Sequence, residues 1–186
     1  RFLRAEDGWR EQGVRLDGGR LVAATEAPRR PVGPLPLPSA ADPGTVFEWS
    51  PTAEALVREV ADHLVRGTFV IDDYGLDEAE ILAAHPRGTL QTIRRHREGE
   101  DPLARPGEVD LSTFVNFTRL RAAAARAGLL LRADRRQAEA LGAWGFPALL
   151  EAALARSRSA EEGVRLRLAA KNLLFGFDRF RILEFE

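Results

Sequence analysis

Residues 50–75 constrain the fold more than any other part of the chain. Ser50 can cap a helix whose first position is Pro51, and Ala53, Leu56, Val57, Val60 and Leu64 recur at helical spacing until Gly67 stops it. Thr68-Phe69-Val70-Ile71 follows at once as a compact apolar run, ending in Asp72-Asp73-Tyr74-Gly75. An amphipathic helix that feeds a strand apolar on both faces is an α/β unit, because only a strand covered on both sides can lack polar alternation. The carboxyl ends of such strands are where open α/β sheets place their ligands, so Asp72, Asp73 and Tyr74 become candidate functional residues.

The flanking segments fit the same class. Gly8 to Leu16 and Arg20 to Ala24 are strand-like runs about Asp17-Gly18-Gly19, a hairpin signal. From Ala27 to Gly44 the chain is Pro-rich, including Pro34-Leu35-Pro36-Leu37-Pro38, and reads as an extended connector. Asp77 with Glu80 opens a short helix, Gly88 to Arg95 reads as a strand, and His96 to Asp110 as a loop long enough to suggest function. Asn116 can cap a helix over 117–126, Asp134 with Gln137 opens another, and Ser159 with Glu162 a third running towards Phe175. Gly128 to Leu131 and Phe180 to Phe185 are further strand candidates, and no repeat of fixed period is visible.

Composition excludes several function classes. Lys and Arg number 27 against 28 Asp and Glu, a net charge of -1, which gives no electrostatic case for nucleic acid or an anionic membrane. No apolar run approaches the roughly 20 residues of a membrane span. Absence of Cys removes disulfides, thiolate metal sites and Cys nucleophiles, and makes the cytoplasm the expected compartment. His63, His85 and His96 are too dispersed for a metal motif, and neither a phosphate-cradling Gly-rich turn nor a Gly-x-Ser-x-Gly elbow occurs. There is no Met, and the chain starts abruptly at Arg1-Phe2-Leu3-Arg4, which leads to the expectation of a piece of a longer protein.

What remains is the strand-end group Asp72, Asp73 and Tyr74, with Arg94, Arg95, His96, Arg97 and Asp101 nearby in sequence. A carboxylate there could orient a cationic substrate while the long loop closes over it. On chemistry alone the better reading is that the same residues satisfy turn and cap amides, with the basic run a solvated strand edge.

Several motifs in order make the reading more specific. Val70-Ile71-Asp72-Asp73-Tyr74-Gly75, Gly88-Thr89-Leu90, His96, the run from Asp101 to Ser112 with Pro106-Gly107-Glu108, and Val115-Asn116-Phe117 closely resemble the C-terminal half of the MidA-like methyltransferases. These are S-adenosylmethionine-dependent enzymes that include a mitochondrial complex I assembly factor acting as a protein arginine methyltransferase. The Gly8-Trp9-Arg10-Glu11 ribbon, Gln137 with Leu141 and Gly145, and residues 180–186 extend the resemblance over nearly the whole chain.

The resemblance implies an α/β fold: the C-terminal part of a class I (Rossmann-like) methyltransferase, with an added β-hairpin (1–26), the connector (27–44), and helical insertions among strands five to seven (45–186). Thr68 to Asp73 would be the fifth strand, Gly128 to Leu131 the sixth and Phe180 to Phe185 the seventh. The motifs that hold S-adenosylmethionine lie upstream of the point matching Arg1, so cofactor-binding residues are expected in a missing N-terminal half against which this chain packs. The implied function is protein arginine N-methylation by the complete enzyme, the segment alone being inactive. Asp73 and Asp110 are the implied catalytic carboxylates, and Tyr74, Gly75, His96, Asp101, Glu108 and Gln137 the implied substrate-binding residues. A protein substrate and a homodimer are the implied partners, with no metal.

This sequence departs from the family pattern at Phe114, Asn116, Arg136 and Ala140, where the family has His, Asp, Thr and an aromatic residue. Gln137 also fits a capping box begun by Asp134, and Asp110 a loop or cap residue. Two other readings stand beside the enzyme: a non-catalytic assembly module on the same scaffold, and one half of a split methyltransferase.

Overall fold

The structure, a computed structural model, describes residues 1–27, 35–95, 97–177 and 179–186. His96 and most of the Pro-rich half of the connector, residues 28–34, therefore lie outside the described residues. In chain order the elements are β1 (Phe2–Ala5), β2 (Gly8–Asp17), β3 (Arg20–Glu26), β4 (Val46–Phe47), α1 (Pro51–His63), β5 (Phe69–Leu76), α2 (Glu78–Ala84), β6 (Gln91–Arg94), β7 (Arg97–Glu98), β8 (Asp110–Ser112) and β9 (Val115–Asn116). There follow α3 (Phe117–Arg126), β10 (Leu131–Arg136), α4 (Gln137–Ala143), α5 (Phe146–Ala155), α6 (Ala160–Phe175) and β11 (Phe180–Phe185). No helix among the described residues is long and apolar enough to cross a membrane. The chain divides into two compact units, Arg1–Ala53 with Leu76–Arg119, and Glu54–Gly75 with Leu120–Glu186.

The first unit contains two small antiparallel sheets. One has the order β3-β2-β1-β4 and is built on the expected hairpin. Asp17 pairs with Arg20 across a two-residue turn whose Gly18 and Gly19 have φ of 53° and 79°, a left-handed pair that glycine adopts without strain and that matches the twist of the strands. The other sheet has the order β7-β6-β8. Its β6 is shorter than the expected Gly88–Arg95 strand, because Gly88 turns at φ 89° and Thr89 is held by its side chain, and the loop expected over 96–110 contributes β7. Phe2, Val46, Phe47, Ile81, Phe114 and Phe117 form the buried apolar set. Trp9 meets Phe47 edge-on at 6.4 Å, and the Arg119 guanidinium lies 5.3 Å from the centre of the Phe47 ring.

The second unit contains β10, β11 and β5 side by side in that order, with β11 antiparallel to both neighbours. Ile182 and Leu183 of β11 point to opposite faces and both are fully buried, so both faces of this strand are covered, the condition that an unbroken apolar run requires. Helices α4, α5 and α6 pack on one another, and α4 also meets β10 and β11.

Helix starts agree with the expected caps where the capping residue is local. Ser50 Oγ accepts from Ala53 N–H, Asn116 Oδ1 from Arg119 N–H, Ser159 Oγ from Glu162 N–H, and Asp77 with Glu80 forms a reciprocal box. Two expectations are corrected. Gly128, at φ 84°, ends the turn after α3, and the strand begins at Leu131 rather than running from Gly128 to Leu131. Asp134 opens no helix: it lies within β10, and α4 starts from Arg136 with Glu139 as its third residue. Asp134 is drawn into the strand because Arg121 and Arg181 converge on its carboxylate, Arg121 Nη1 at 2.7 Å.

Candidate functional site

In the first unit the motif residues build a polar clamp. The Glu48 carboxylate accepts from Thr89 N–H at 2.7 Å and from Thr89 Oγ1 at 2.6 Å, while Arg1 Nε pairs with its other oxygen at 3.0 Å. Thr89 Oγ1 in turn accepts from the Phe114 N–H at 2.9 Å, so one hydroxyl ties two loops to one carboxylate. Gly88 makes this approach possible: a Cβ there would lie 2.8 Å from Arg1 Nη2 and 3.1 Å from both Glu48 Oε1 and Val46 Cγ1. Gly88-Thr89 is thus occupied with holding the loops. Phe114, at a family His position, is buried and meets His85 edge-on at 5.0 Å. Asn116, at a family Asp position, donates from Nδ2 to Glu78 Oε2 at 3.0 Å while capping α3, and Arg119 Nε donates to the same Glu78 oxygen at 2.7 Å.

Beyond the clamp, the loop is shaped by turns. Arg105-Pro106-Gly107-Glu108 is a type II turn, with Pro at its second position, Gly107 at φ 86° and the Glu108 N–H bonded to Arg105 O at 3.1 Å. Arg94 spans the loop, reaching Glu100 at 3.4 Å and Glu108 at 3.3 Å. Asp101 Oδ1 accepts from Leu103 N–H at 2.9 Å and closes a local turn. Asp110 stands in β8 opposite Ile93, exposed, and its carboxylate has no ion-pair partner among the described residues. Of the implied site residues, this unit therefore holds Asp101, Glu108 and Asp110 on one loop and its closing strand.

The second unit holds Asp73, Tyr74, Gly75 and Gln137. The strand does not end at Asp73, the bound the resemblance implies. It runs on to Leu76, with Asp72, Asp73 and Tyr74 opposite Ile182, Arg181 and Phe180. Asp73 Oδ1 accepts from Tyr74 N–H at 2.8 Å, and the Tyr74 ring packs on Phe180 at 5.5 Å. Gly75 is buried, its N–H bonded to Arg179 O at 3.2 Å. Gln137 is buried too, and its Nε2 donates to Leu173 O at 2.8 Å, joining α4 to α6. An open cleft of about 530 Å³ lies at the other end of β5, beside Leu64, Gly67, Thr68, Gly128 and Leu129, and none of the implied residues lines it.

The protonation of Asp72 is displaced. Partial burial, and secondarily the neighbouring Asp73 charge, raise its pKa above the usual value. The folded protein then binds a proton more readily than the unfolded chain, so this group's effect on stability becomes unfavourable as pH rises through its folded pKa. Asp72→Asn is expected to raise the melting temperature at neutral pH, and the gain should vanish below the ordinary carboxylate range. A melting temperature unchanged by the substitution at pH 7 would contradict this.

Among the described residues neither unit shows the Gly-rich cradle of a nucleoside cofactor. No Gly-rich turn among them joins a strand to a helix, and the amides of the turn after β5 are already taken: Glu80 Oε2 accepts the Asp77 N–H at 3.0 Å and Thr118 Oγ1 of α3 accepts the Glu78 N–H at 3.0 Å. No group of His, Asp and Glu able to hold a metal ion occurs among the described residues.

Comparison with known proteins supplies what geometry alone does not. Residues 1–133 match the model of the family described as "Putative S-adenosyl-L-methionine-dependent methyltransferase". The chain belongs to this methyltransferase family. Two crystal structures from Burkholderia thailandensis resemble it throughout, each at 28% identity over 100% of this chain. One, an uncharacterized protein, superposes with a TM-score of 0.85; the other, described as a "likely methyl transferase" bound to S-adenosyl-homocysteine, with 0.86. This chain spans about half of their length, 50% and 49%. No curated protein matches it. S-adenosylmethionine is the family's methyl donor, and the mixed α/β architecture agrees with that membership.

Proposed function

We propose that this chain is the C-terminal part of a class I, Rossmann-like methyltransferase of the MidA type that methylates a protein arginine, with β5, β10 and β11 as strands five, six and seven. The observation that carries the reading is the family match over residues 1–133, joined to a full-length superposition on half of a protein that holds S-adenosyl-homocysteine. Side-by-side pairing of the three strands supports their assignment to one sheet. The cofactor-binding residues belong to the N-terminal half of the complete enzyme, as the resemblance implies.

When bound, S-adenosylmethionine supplies an electrophilic methyl group, so the protein's work is to align an acceptor nitrogen and balance its charge. A guanidinium offers paired N–H donors in a fixed fork, which a carboxylate can accept. Asp110 fits such a role through its exposed carboxylate, which has no ion-pair partner among the described residues, whereas Asp73 already accepts one backbone N–H. Glu108 and Asp101 would shape the loop on which Asp110 stands.

The test is methyl transfer from labelled S-adenosylmethionine to an arginine-containing protein acceptor by the complete enzyme. Asp110→Asn is expected to lower the rate at least tenfold while calorimetric binding of S-adenosylmethionine is unchanged. An unaltered rate would remove Asp110 from the reaction, and a complete enzyme that binds no S-adenosylmethionine would remove the methyltransferase reading itself.

A further inference from the structure

The three-stranded sheet β7-β6-β8 sorts its charges by face. Ile93 of β6 stands opposite Glu98 of β7 and Asp110 of β8, and Arg94 stands opposite Arg97. Side chains of directly paired residues share a face and successive residues alternate, so Glu98 and Asp110 flank Ile93 on one face while Arg94 and Arg97 lie on the other. Arg95 lies at the tip, as the first residue of the short loop that joins β6 to β7.

Two guanidinium groups at this tip have no structural task. Arg94 is half-buried and held by Glu100 at 3.4 Å and Glu108 at 3.3 Å. Arg95 and Arg97 are exposed, and no carboxylate among the described residues pairs with either. Both positions also count against arginine. Arg97 makes a like-charge pair with Arg94 directly opposite, and Arg95 is the one non-glycine residue among the described ones with a left-handed φ, 50°, where a short hairpin loop favours asparagine or glycine. Side chains that the local fold disfavours and does not use are the kind found where a ligand is met.

We infer that Arg95 and Arg97 bind a carboxylate of the protein acceptor, supplied by an acidic residue two or three positions along the chain from the one to be methylated. The inference rests on the reading that Asp110 holds the acceptor, and adds the anion that accompanies it. Between Cα atoms, Asp110 lies one strand spacing of about 5 Å from Ile93, and Arg95 lies about 7 Å beyond Ile93 along β6. Asp110 and Arg95 are thus roughly 8 Å apart, the span of two to three residues of an extended peptide. An acceptor leaving Asp110 on one face reaches the tip where Arg95 stands, with Arg97 next to it on the other face. Each guanidinium can donate a forked pair of N–H bonds to a carboxylate. The carboxylate row selects the kind of anion: Glu98 and Asp110 repel an extended polyanion crossing the sheet, whereas a short segment with a cation and an anion a few residues apart meets opposite charge at both points.

Fluorescence anisotropy of the complete enzyme with two labelled peptides tests this. Each carries one arginine in a glycine-serine background, one peptide with glutamate at the second and third positions on both sides of it, the other with glutamine at the same places. The glutamate peptide is expected to bind about tenfold more tightly or better at low salt, with the ratio shrinking as salt rises. Arg95→Gly combined with Arg97→Ala should bring the ratio to about one. Arg95→Gly alone separates recognition from folding: glycine takes φ 50° without strain, so the melting temperature should hold while the ratio falls. A ratio near one in the natural protein, or a ratio that survives the double substitution, overturns the inference. Methyl transfer to the same peptides keeps the two readings apart. Equal binding and equal methylation of both peptides sinks the acidic-residue site and leaves the methyltransferase reading intact, whereas tight binding through Arg95 and Arg97 with methylation of neither removes the acceptor assignment alone.

Discussion

Thr89→Val is expected to destabilise the protein by about 3 kcal/mol, with little change in side-chain volume. The lost hydroxyl does two things at once. It donates to the Glu48 carboxylate at 2.6 Å and accepts the Phe114 N–H at 2.9 Å, so valine takes one hydrogen bond from a buried backbone donor and one from a carboxylate. Unfolding in urea would show a lower midpoint at an unchanged slope. Thr89→Ser keeps the oxygen and should recover most of the loss. Were valine within half a kcal/mol of the natural residue, roughly the scatter of a neutral surface change, the clamp would have no part in stability.

Phe117→Ala should cost about 4 kcal/mol, the range for deleting a fully buried aromatic ring. Phe117 is the first residue of α3 and is 0% exposed, and the Asn116 cap fixes the backbone at that point, so the surroundings have little freedom to collapse into the space. Phe117→Leu retains most of the apolar volume and is expected to cost far less. Equal losses for alanine and leucine would show that the ring's shape, rather than its volume, is what the site requires.

Both residues belong to the stretches that resemble the methyltransferase family, yet in the structure both hold the fold together. The same is true of Gly88, which lets Arg1 and Glu48 come close, of Pro106-Gly107, which makes a type II turn, and of Asn116, which caps a helix. A family pattern read along the chain therefore mixes residues that shape the loops with residues left free to meet a ligand. Asp110 is separated from the others by an exposed carboxylate with no ion-pair partner among the described residues, a property that no sequence pattern carries.

The sequence by itself determined the elements whose signals are local. The Gly18-Gly19 hairpin, the caps at Ser50, Asp77, Asn116 and Ser159, and the strand over 180–185 were all legible, because a turn or a cap is decided by residues within four positions of one another. Tertiary structure decided the rest. Asp134 has the local signature of a helix cap with Gln137, but Arg121 and Arg181 outweigh that signature and keep it in β10. Asp72 to Gly75 read as the polar end of a strand reaching Asp73, but pairing of Asp72 to Tyr74 with Phe180 to Ile182 carries the strand on to Leu76. In each case the deciding partner lies more than a dozen or a hundred residues away, and a contact across such a distance exists only once the chain has folded.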